Sequence, residues 1–396
     1  MPVREVAPNV YWVGAIDWDI RYFHGPAYST HRGTTYNAYL IVDDEVALVD
    51  TVYTPFANEL LRNIAEVIDP ARITRVISNH SEVDHSGALP LVMDTAKEAK
   101  LYCTAKGAEF LTQQFHQNWD YNVLKTFDEV KLGKRTLTFL EAPMLHWPDS
   151  MFTYIKEDAI LMPNDAFGQH YASSGRFDDE VDMSVVMQEA TKYYANILTP
   201  FSRLVAKKLQ EVGELQLPIK QICPSHGVIF RQDPNRILQA YQNWSQESRQ
   251  AKVVIAYDTM WESTARMANA IAAGVAASGV EYQLFRISKT DRNDLIAAIQ
   301  SARAVAIGSP TTNRGMLATV APLLDDLAGL KPAGKTAIAF GSEGWGGGSV
   351  AAINHYLQRI GWSLLGDGVS MRWNPKEAEI ANLVKVGHEL AEAAKL

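Results

Sequence analysis

Four times in its first 226 residues, this chain runs an apolar stretch of strand length into a histidine or a carboxylate. The densest case is Asn79-His80-Ser81-Glu82-Val83-Asp84-His85-Ser86-Gly87, between the apolar run 73–77 and a helix-like run at 88–96. His146 follows the run 137–140, Asp165 follows 159–162, and His226 follows 219–223. Function in α/β folds gathers in loops beyond strand ends, so the pattern calls for strands whose ends converge on one place. Imidazoles and carboxylates crowded on one loop are costly to leave unpaired, because like charges repel and a buried charge needs a partner. A bound cation removes both costs. Taken alone, 79–87 also reads as a solvated strand-to-helix loop; its recurrence at three more strand ends argues against that.

The count then limits the metal. Four imidazoles (His80, His85, His146, His226) and three carboxylates (Glu82, Asp84, Asp165) are too many for one tetrahedral ion. They suit two ions sharing one carboxylate, each with an open position for solvent or substrate. Zinc, with hydroxide attacking a carbonyl or phosphoryl centre, and redox iron both remain open at this level. So does a metal site that is only structural beside an electron-transfer module.

Around these loops, residues 9–52 alternate apolar and polar as half-buried strands do. Helical periodicity covers 56–68, with Pro70 ending it, and further strand and helix patterns run to residue 223. The segment 178–214 reads as helix broken at Pro200, and 236–248 as a polar helix. Strands in two groups, each with helices, fit an α/β sandwich. Near residue 250 the character changes. Val253-Val254-Ile255-Ala256-Tyr257 is a short buried strand. It enters Asp258-Thr259-Met260-Trp261-Glu262-Ser263-Thr264, and a helix follows with Met267, Ile271 and Val275 in phase. Strand, hydroxyl-rich loop and helix make a phosphate cradle; a simple Ser/Thr helix cap is the plainer alternative. Neither Gly-x-Gly-x-x-Gly nor Gly-x-x-x-x-Gly-Lys is present, which argues against dinucleotide and nucleoside triphosphate. Two more strands, 304–308 and 336–340, run into Ser309-Pro310-Thr311-Thr312-Asn313-Arg314-Gly315 and Gly341-Ser342-Glu343-Gly344-Trp345-Gly346. The expected domains are therefore 1–250 and 251–396.

Charge and cysteines narrow the partners. A net charge of -8 argues against nucleic acid and anionic membrane. No apolar run approaches the roughly 20 residues that span a bilayer. The N-terminal residues carry no signal pattern, and Cys103 and Cys223 form no CxxC. That rules out a cysteine-ligated iron–sulfur or rubredoxin centre, and a soluble, cytoplasmic protein is expected.

The order His-x-Glu-x-Asp-His, His, Asp, His resembles the metallo-β-lactamase fold, whose hydrolases usually carry His where Glu82 stands. With Gly33-Thr34-Thr35-Tyr36-Asn37-Ala38-Tyr39 upstream and Leu145-His146-Trp147-Pro148-Asp149-Ser150-Met151 downstream, nearly the whole chain resembles the flavodiiron proteins. The resemblance implies an N-terminal metallo-β-lactamase-like αβ/βα sandwich and a C-terminal flavodoxin-like doubly wound parallel sheet. It implies one iron on His80, Glu82 and His146, a second on Asp84, His85 and His226, and Asp165 as the bridge. Hard oxygen from Glu82 suits iron better than a nitrogen-rich set does. The implied FMN has its phosphate at Thr259, Met260, Trp261, Ser263 and Thr264. Ser309, Pro310, Thr311, Thr312, Asn313, Gly315, Ser342, Gly344 and Gly346 flank its ring system, with Trp345 as a stacking residue. Glycine is usual in the flavodoxin phosphate loop. Glu262 is charged and is assigned no contact. His24 and Tyr194 occupy places near the family's substrate pocket, although Tyr193-Tyr194 without the resemblance reads as helix packing. The implied activity is reduction of O2 to water, NO to N2O, or both. A head-to-tail homodimer, or a dimer of such dimers, would bring the FMN of one chain to the metals of another. The chain shows no rubredoxin or flavin-reductase extension, so a separate rubredoxin or reduced deazaflavin coenzyme is the expected donor.

Overall fold

In a computed structural model of the chain, residues 3–246 and 250–396 are described. Residues 247–249, which include the end of the helix expected at 236–248, lie outside the described residues. The chain divides into two compact units. The first runs through Tyr193 and resumes at Arg203–Gln242; the second is Tyr194–Ser202 with Asn243–Leu396.

Alternating residues in the first unit assemble two sheets face to face. One has seven strands in the order Arg4–Ala7, Val10–Trp12, Tyr39–Val42, Val46–Val49, Arg75–Ile77, Lys100–Cys103 and Tyr121–Val123. Its first four pair antiparallel and the rest parallel. The other has five: Glu129–Lys131, Thr136–Glu141, Met151–Ile155, Ile160–Met162 and Gln221–Ile222. The period-2 alternation of a strand decides which residues meet between the sheets. Trp12, Tyr39, Ile41, Val49 and Ile77 from one face pack against Leu137, Phe139, Met151, Ile155 and Met162 from the other. The residues in between are buried too. Phe152 and Leu161 turn to the opposite face, where they meet Val205, Leu209 and Val212 of the helix Ser202–Glu214 and Tyr241 of Pro234–Ser245. A sheet covered on both faces by sheet and helix is the expected αβ/βα sandwich.

The second unit is one parallel sheet in the order Glu281–Arg286, Gln250–Tyr257, Ala302–Gly308 and Thr336–Glu343, with Ser363–Leu364 and Val369–Arg372 both paired to the last. Its strands read as nearly unbroken apolar runs because helices cover both faces. Val254, Ala256, Val305 and Ile307 point to one core, with Leu323, Leu324 and Leu357. Val253, Ile255, Ala304 and Ala306 point to the other, with Ile271, Leu383 and Leu390. The strand order reverses at Gln250–Tyr257, the switch point where a doubly wound sheet binds its ligand beyond the strand ends. The segment Tyr194–Ser202 goes with this unit. Ala195 packs in its core, and Asn196 exchanges hydrogen bonds with Asn293 at 3.0 and 2.8 Å.

Candidate metal centre and flavin site

The four metal-type loops leave neighbouring strand ends, as their sequence positions require. Strand Arg75–Ile77 delivers His80 directly. The stretch beyond it is not all loop: Val83–Ser86 forms a short helix with Glu82 at its N-cap position. That turn puts Asp84 and His85 side by side. Thr51 pins it, donating through both N (2.8 Å) and Oγ1 (2.7 Å) to the His85 carbonyl. Asp50 ties two loops together, accepting from Asn79 N at 2.8 Å and from Asn164 Nδ2 at 3.1 Å.

The seven expected side chains come together as two groups. His80, Glu82, His146 and Asp165 have donor atoms within 4.8 Å of one another, as do Asp84, His85 and His226. Asp165 joins them. Its Oδ2 lies 3.6 Å from His80 Nε2 and 3.1 Å from His146 Nε2. Its Oδ1 lies 2.9 Å from His85 Nε2 and 3.5 Å from His226 Nε2. Asp84 Oδ2 is 3.1 Å from both His85 Nε2 and His226 Nε2. Ligand atoms about 2.1 Å from one ion would stand roughly 3.0–3.4 Å apart, close to the 2.9–3.6 Å observed here.

Hydrogen bonding does not account for these approaches. His80 Nε2, His85 Nε2, both Asp84 oxygens and Asp165 Oδ2 are buried with no hydrogen-bond partner. Orphaned buried lone pairs on that scale need a partner, and a cation in each group supplies one. Without metal, the groups perturb one another strongly. Burial disfavours charge on His85, yet Asp84 and Asp165 outweigh it and hold its pKa at about 9. His146 likewise reaches about 9, burial being overcome by Asp165 and Glu82. Burial alone would raise Glu82; the imidazoles of His146, His24 and His80 beside it instead hold it far below the ordinary carboxylate range.

Surrounding contacts fix the orientation of two of the candidate ligands, His80 and His226. His80 Nδ1 is 3.1 Å from Asp149 Oδ1, and the Asp149 carboxylate also accepts from Ser81 N at 2.7 Å. His226 Nδ1 is 2.6 Å from the Thr35 carbonyl, while Gly227 N donates to Thr35 Oγ1 at 2.7 Å. Asn37 and Tyr39 both donate to the Pro224 carbonyl, so the Thr-Thr-Tyr-Asn-Ala-Tyr stretch clamps the His226 loop. Asp50, Asp149 and Thr35 were not singled out from the sequence. Asp149 and Thr35 lie in the two stretches that carry the family resemblance, whereas Asp50 only closes a strand-like run.

His24 stands at the rim, its Nε2 2.7 Å from Glu82 Oε1. Tyr194 belongs to the second unit. Its hydroxyl donates to Ser202 Oγ at 3.0 Å and its ring packs 5.2 Å from Trp244, within the second unit. Its neighbour Tyr193, in the first unit, lies 5.2 Å from His170 and 6.3 Å from His226, centroid to centroid. His170 is buried 4.7 Å from the His226 ring, with Nδ1 2.8 Å from Thr34 Oγ1. Trp147 packs edge-on to His80, at 5.0 Å.

In the second unit the three expected loops meet at the strand ends. Thr264 Oγ1 lies 2.8 Å from Ser342 Oγ, and Thr311 N donates to the Ser342 carbonyl at 2.7 Å. Leu317 N donates to Ser309 Oγ at 2.9 Å, and a bridge pairs Thr312 with Gly315. Pro310 is buried, whereas Asn313, with φ 48°, and Gly346 lie at the exposed edge. A side chain at Gly344 would meet the Trp373 ring at 3.1 Å. Ser263 Oγ donates to Asn374 at 2.9 Å. Thr259 Oγ1 is buried without a partner just before the helix Ser263–Ala277, which fits a cradle for an anionic group. Met260, Trp261, Trp345 and Trp373 remain 47%, 88%, 93% and 63% exposed.

Comparison with known proteins agrees with both units. Residues 34–227 match the ODP family beta lactamase and residues 255–387 match flavodoxin. A nitric oxide reductase of Moorella thermoacetica is 52% identical over 388 residues, covering 98% of this chain and 97% of that protein. Two solved structures superpose with a TM-score of 0.96 at 36% identity. The rubredoxin oxygen:oxidoreductase of Desulfovibrio gigas covers 99% of this chain and 98% of its own. The flavodiiron protein of Giardia intestinalis covers 100% and 97%. With two ligand groups joined through Asp165, a flavodoxin unit in the same chain and relatives matching along its whole length, this chain belongs to the flavodiiron protein family.

Proposed function

We propose that the chain passes electrons from FMN to a two-iron centre that reduces O2 to water, NO to N2O, or both. One observation carries the reading: the two oxygens of Asp165 face two separate ligand groups in a chain that also has a flavodoxin unit. His80, Glu82 and His146 hold one iron, Asp84, His85 and His226 the other, and Asp165 bridges. When bound, FMN supplies electrons and the two ferrous ions supply binding and reduction of the gas. The protein's own part is orientation and exclusion of water. Asp149 and the Thr35 carbonyl fix the tautomers of His80 and His226 by accepting from Nδ1, which leaves Nε2 for metal. His24, through its Nε2, holds Glu82 at the rim, and Tyr193 and His170 close the His226 side with buried rings. The hydroxyls at 259–264 and the loops at 309–315 and 342–346 hold FMN.

A separate donor, either a rubredoxin or a reduced deazaflavin coenzyme, reduces the FMN. The working form is a head-to-tail homodimer or a dimer of such dimers. Exposed large apolar side chains on both units support an interface: Trp18, Tyr22 and Tyr53 on the first, and Trp261, Trp345 and Trp373 on the second. No helix among the described residues is long and apolar enough to cross a membrane.

The test is metal analysis of anaerobically prepared protein, followed by gas consumption under one electron donor. Iron at both sites and FMN-dependent uptake of either gas are expected, and the ratio of the two rates assigns the preference. Zinc at both sites with no gas consumed would overturn the reading.

A further inference from the structure

The start of the helix Ser263–Ala277 breaks a local rule. Glu262 precedes it with φ 63°, a left-handed conformation for which glycine is the ordinary residue. Its carboxylate does not cap the helix. It reaches instead to Arg286, at the end of the neighbouring strand Glu281–Arg286, with 3.2 Å between Nη1 and Oε1. The Nε of the same guanidinium is 3.7 Å from Asp258 Oδ1 and has no hydrogen-bond partner. Asp258 is already committed, accepting from Thr259 N (3.0 Å), Ser288 Oγ (3.0 Å) and Thr319 Oγ1 (2.5 Å). One guanidinium thus lies between two carboxylates on the loop that cradles a phosphate. The helix N-terminus and Arg286 attract a dianion there, while Glu262 repels it and occupies one edge of the guanidinium.

We propose that Arg286 and Glu262 together set this site's selectivity for the phosphorylated flavin. Arg286 supplies the counter-charge to the phosphate. Glu262 competes for the same guanidinium and holds the affinity below what the loop would otherwise reach. This rests on the FMN reading of the loop.

The experiment titrates full-length protein, stripped of flavin, with FMN and with riboflavin, which lacks the phosphate. Flavin fluorescence quenching is read at low and high salt. Arg286→Ala is expected to raise the FMN Kd about tenfold and leave riboflavin within about twofold, as for loss of one charge-assisted contact. Arg286→Lys, which keeps the charge, recovers most of that loss. Glu262→Gln is expected to lower the FMN Kd about threefold, the size of a half-exposed charge interaction, with riboflavin unchanged. An Arg286→Ala protein that binds FMN like the parent, or loses riboflavin in parallel, would overturn the proposal. So would a Glu262→Gln protein with an unchanged FMN Kd, a result that does not depend on Arg286→Ala folding. A parent that takes up neither flavin overturns the FMN reading and the proposal with it. A parent that takes up FMN while both variants match it overturns the proposal alone.

Discussion

Asp149 does at the residue scale what the ligands cannot do for themselves. It holds His80 Nδ1 at 3.1 Å and Ser81 N at 2.7 Å, so one carboxylate fixes both the ring and the backbone beside it. Partners of this kind are worth about 10–100-fold in metal affinity. Asp149→Asn is therefore expected to weaken iron binding by about that factor, measured by competition with a chelator, while FMN content stays unchanged. His146→Ala removes a ligand outright, and should lose iron and gas reduction with FMN still in place. An Asp149→Asn protein that holds iron like the parent would show the contact to be incidental. The seven candidate ligands were legible in the sequence because each of their four loops follows an apolar strand run. Asp149 was not, since its role depends on how residues 146–150 fold back over the loop after Ile77. Which of Tyr193 and Tyr194 packs beside His226 was hidden for a similar reason. Adjacent tyrosines look alike in sequence, and only the tertiary setting of the helix Met183–Tyr193 and the π-turn Tyr194–Leu198 decides which faces the metals.

At the scale of elements, the loop after strand Gln221–Ile222 shows how tightly a ligand can be held. Gly227 has φ 78°, and a Cβ there would sit 1.7 Å from Gln169 Oε1 and 2.5 Å from the Gln169 carbonyl. Gln169 Oε1 cannot simply move, because it accepts from Val228 N at 2.7 Å. Gly227→Ala combines left-handed strain with a clash against a committed amide. A loss of about 3 kcal/mol or more is expected, read as an earlier denaturant midpoint of the first unit's transition, with iron lost before FMN. A midpoint within error of the parent would mean the loop relaxes freely. Strand positions were readable as short apolar runs, because sheets covered on both faces bury both sets of alternating residues. The short helix Val83–Ser86 was hidden, since one helical turn has no periodicity to detect. The affiliation of Tyr194–Ser202 with the second unit was hidden too, being a matter of packing by residues such as Ala195 that carry no distinctive pattern.

For the whole molecule, the clustered charges couple stability to pH. In metal-free protein His85 and His146 each bind a proton up to about pH 9, against about 6.5 in an unfolded chain. Between those values the folded state holds more protons, so their stabilisation is fully present below about pH 6.5 and drains away as pH rises through about 9. Metal must displace those protons, so its affinity moves the other way and grows over the same window. Thermal midpoints of chelator-treated protein should fall from pH 6.5 to 9, while the gap to iron-loaded protein widens. A metal-free midpoint that is flat or rising over that window would contradict the coupling.

The proposed head-to-tail dimer makes a prediction that does not depend on seeing the assembly. His146→Ala keeps FMN but no working metal centre. Ser263→Glu adds a carboxylate to the phosphate loop and keeps the metals but not FMN. Each variant alone is inactive. If FMN of one copy serves the metals of the other, a mixed dimer has one complete pair, made from the FMN of the first variant and the metals of the second. Random reassortment of equal amounts makes about half the dimers mixed, and each of these has one working site of two. Activity should therefore return to about a quarter of the parent's. If FMN and metals cooperate within a single chain, neither variant contains a complete pair and the mixture stays inactive at every ratio. Measuring gas consumption before and after subunit exchange separates the two arrangements.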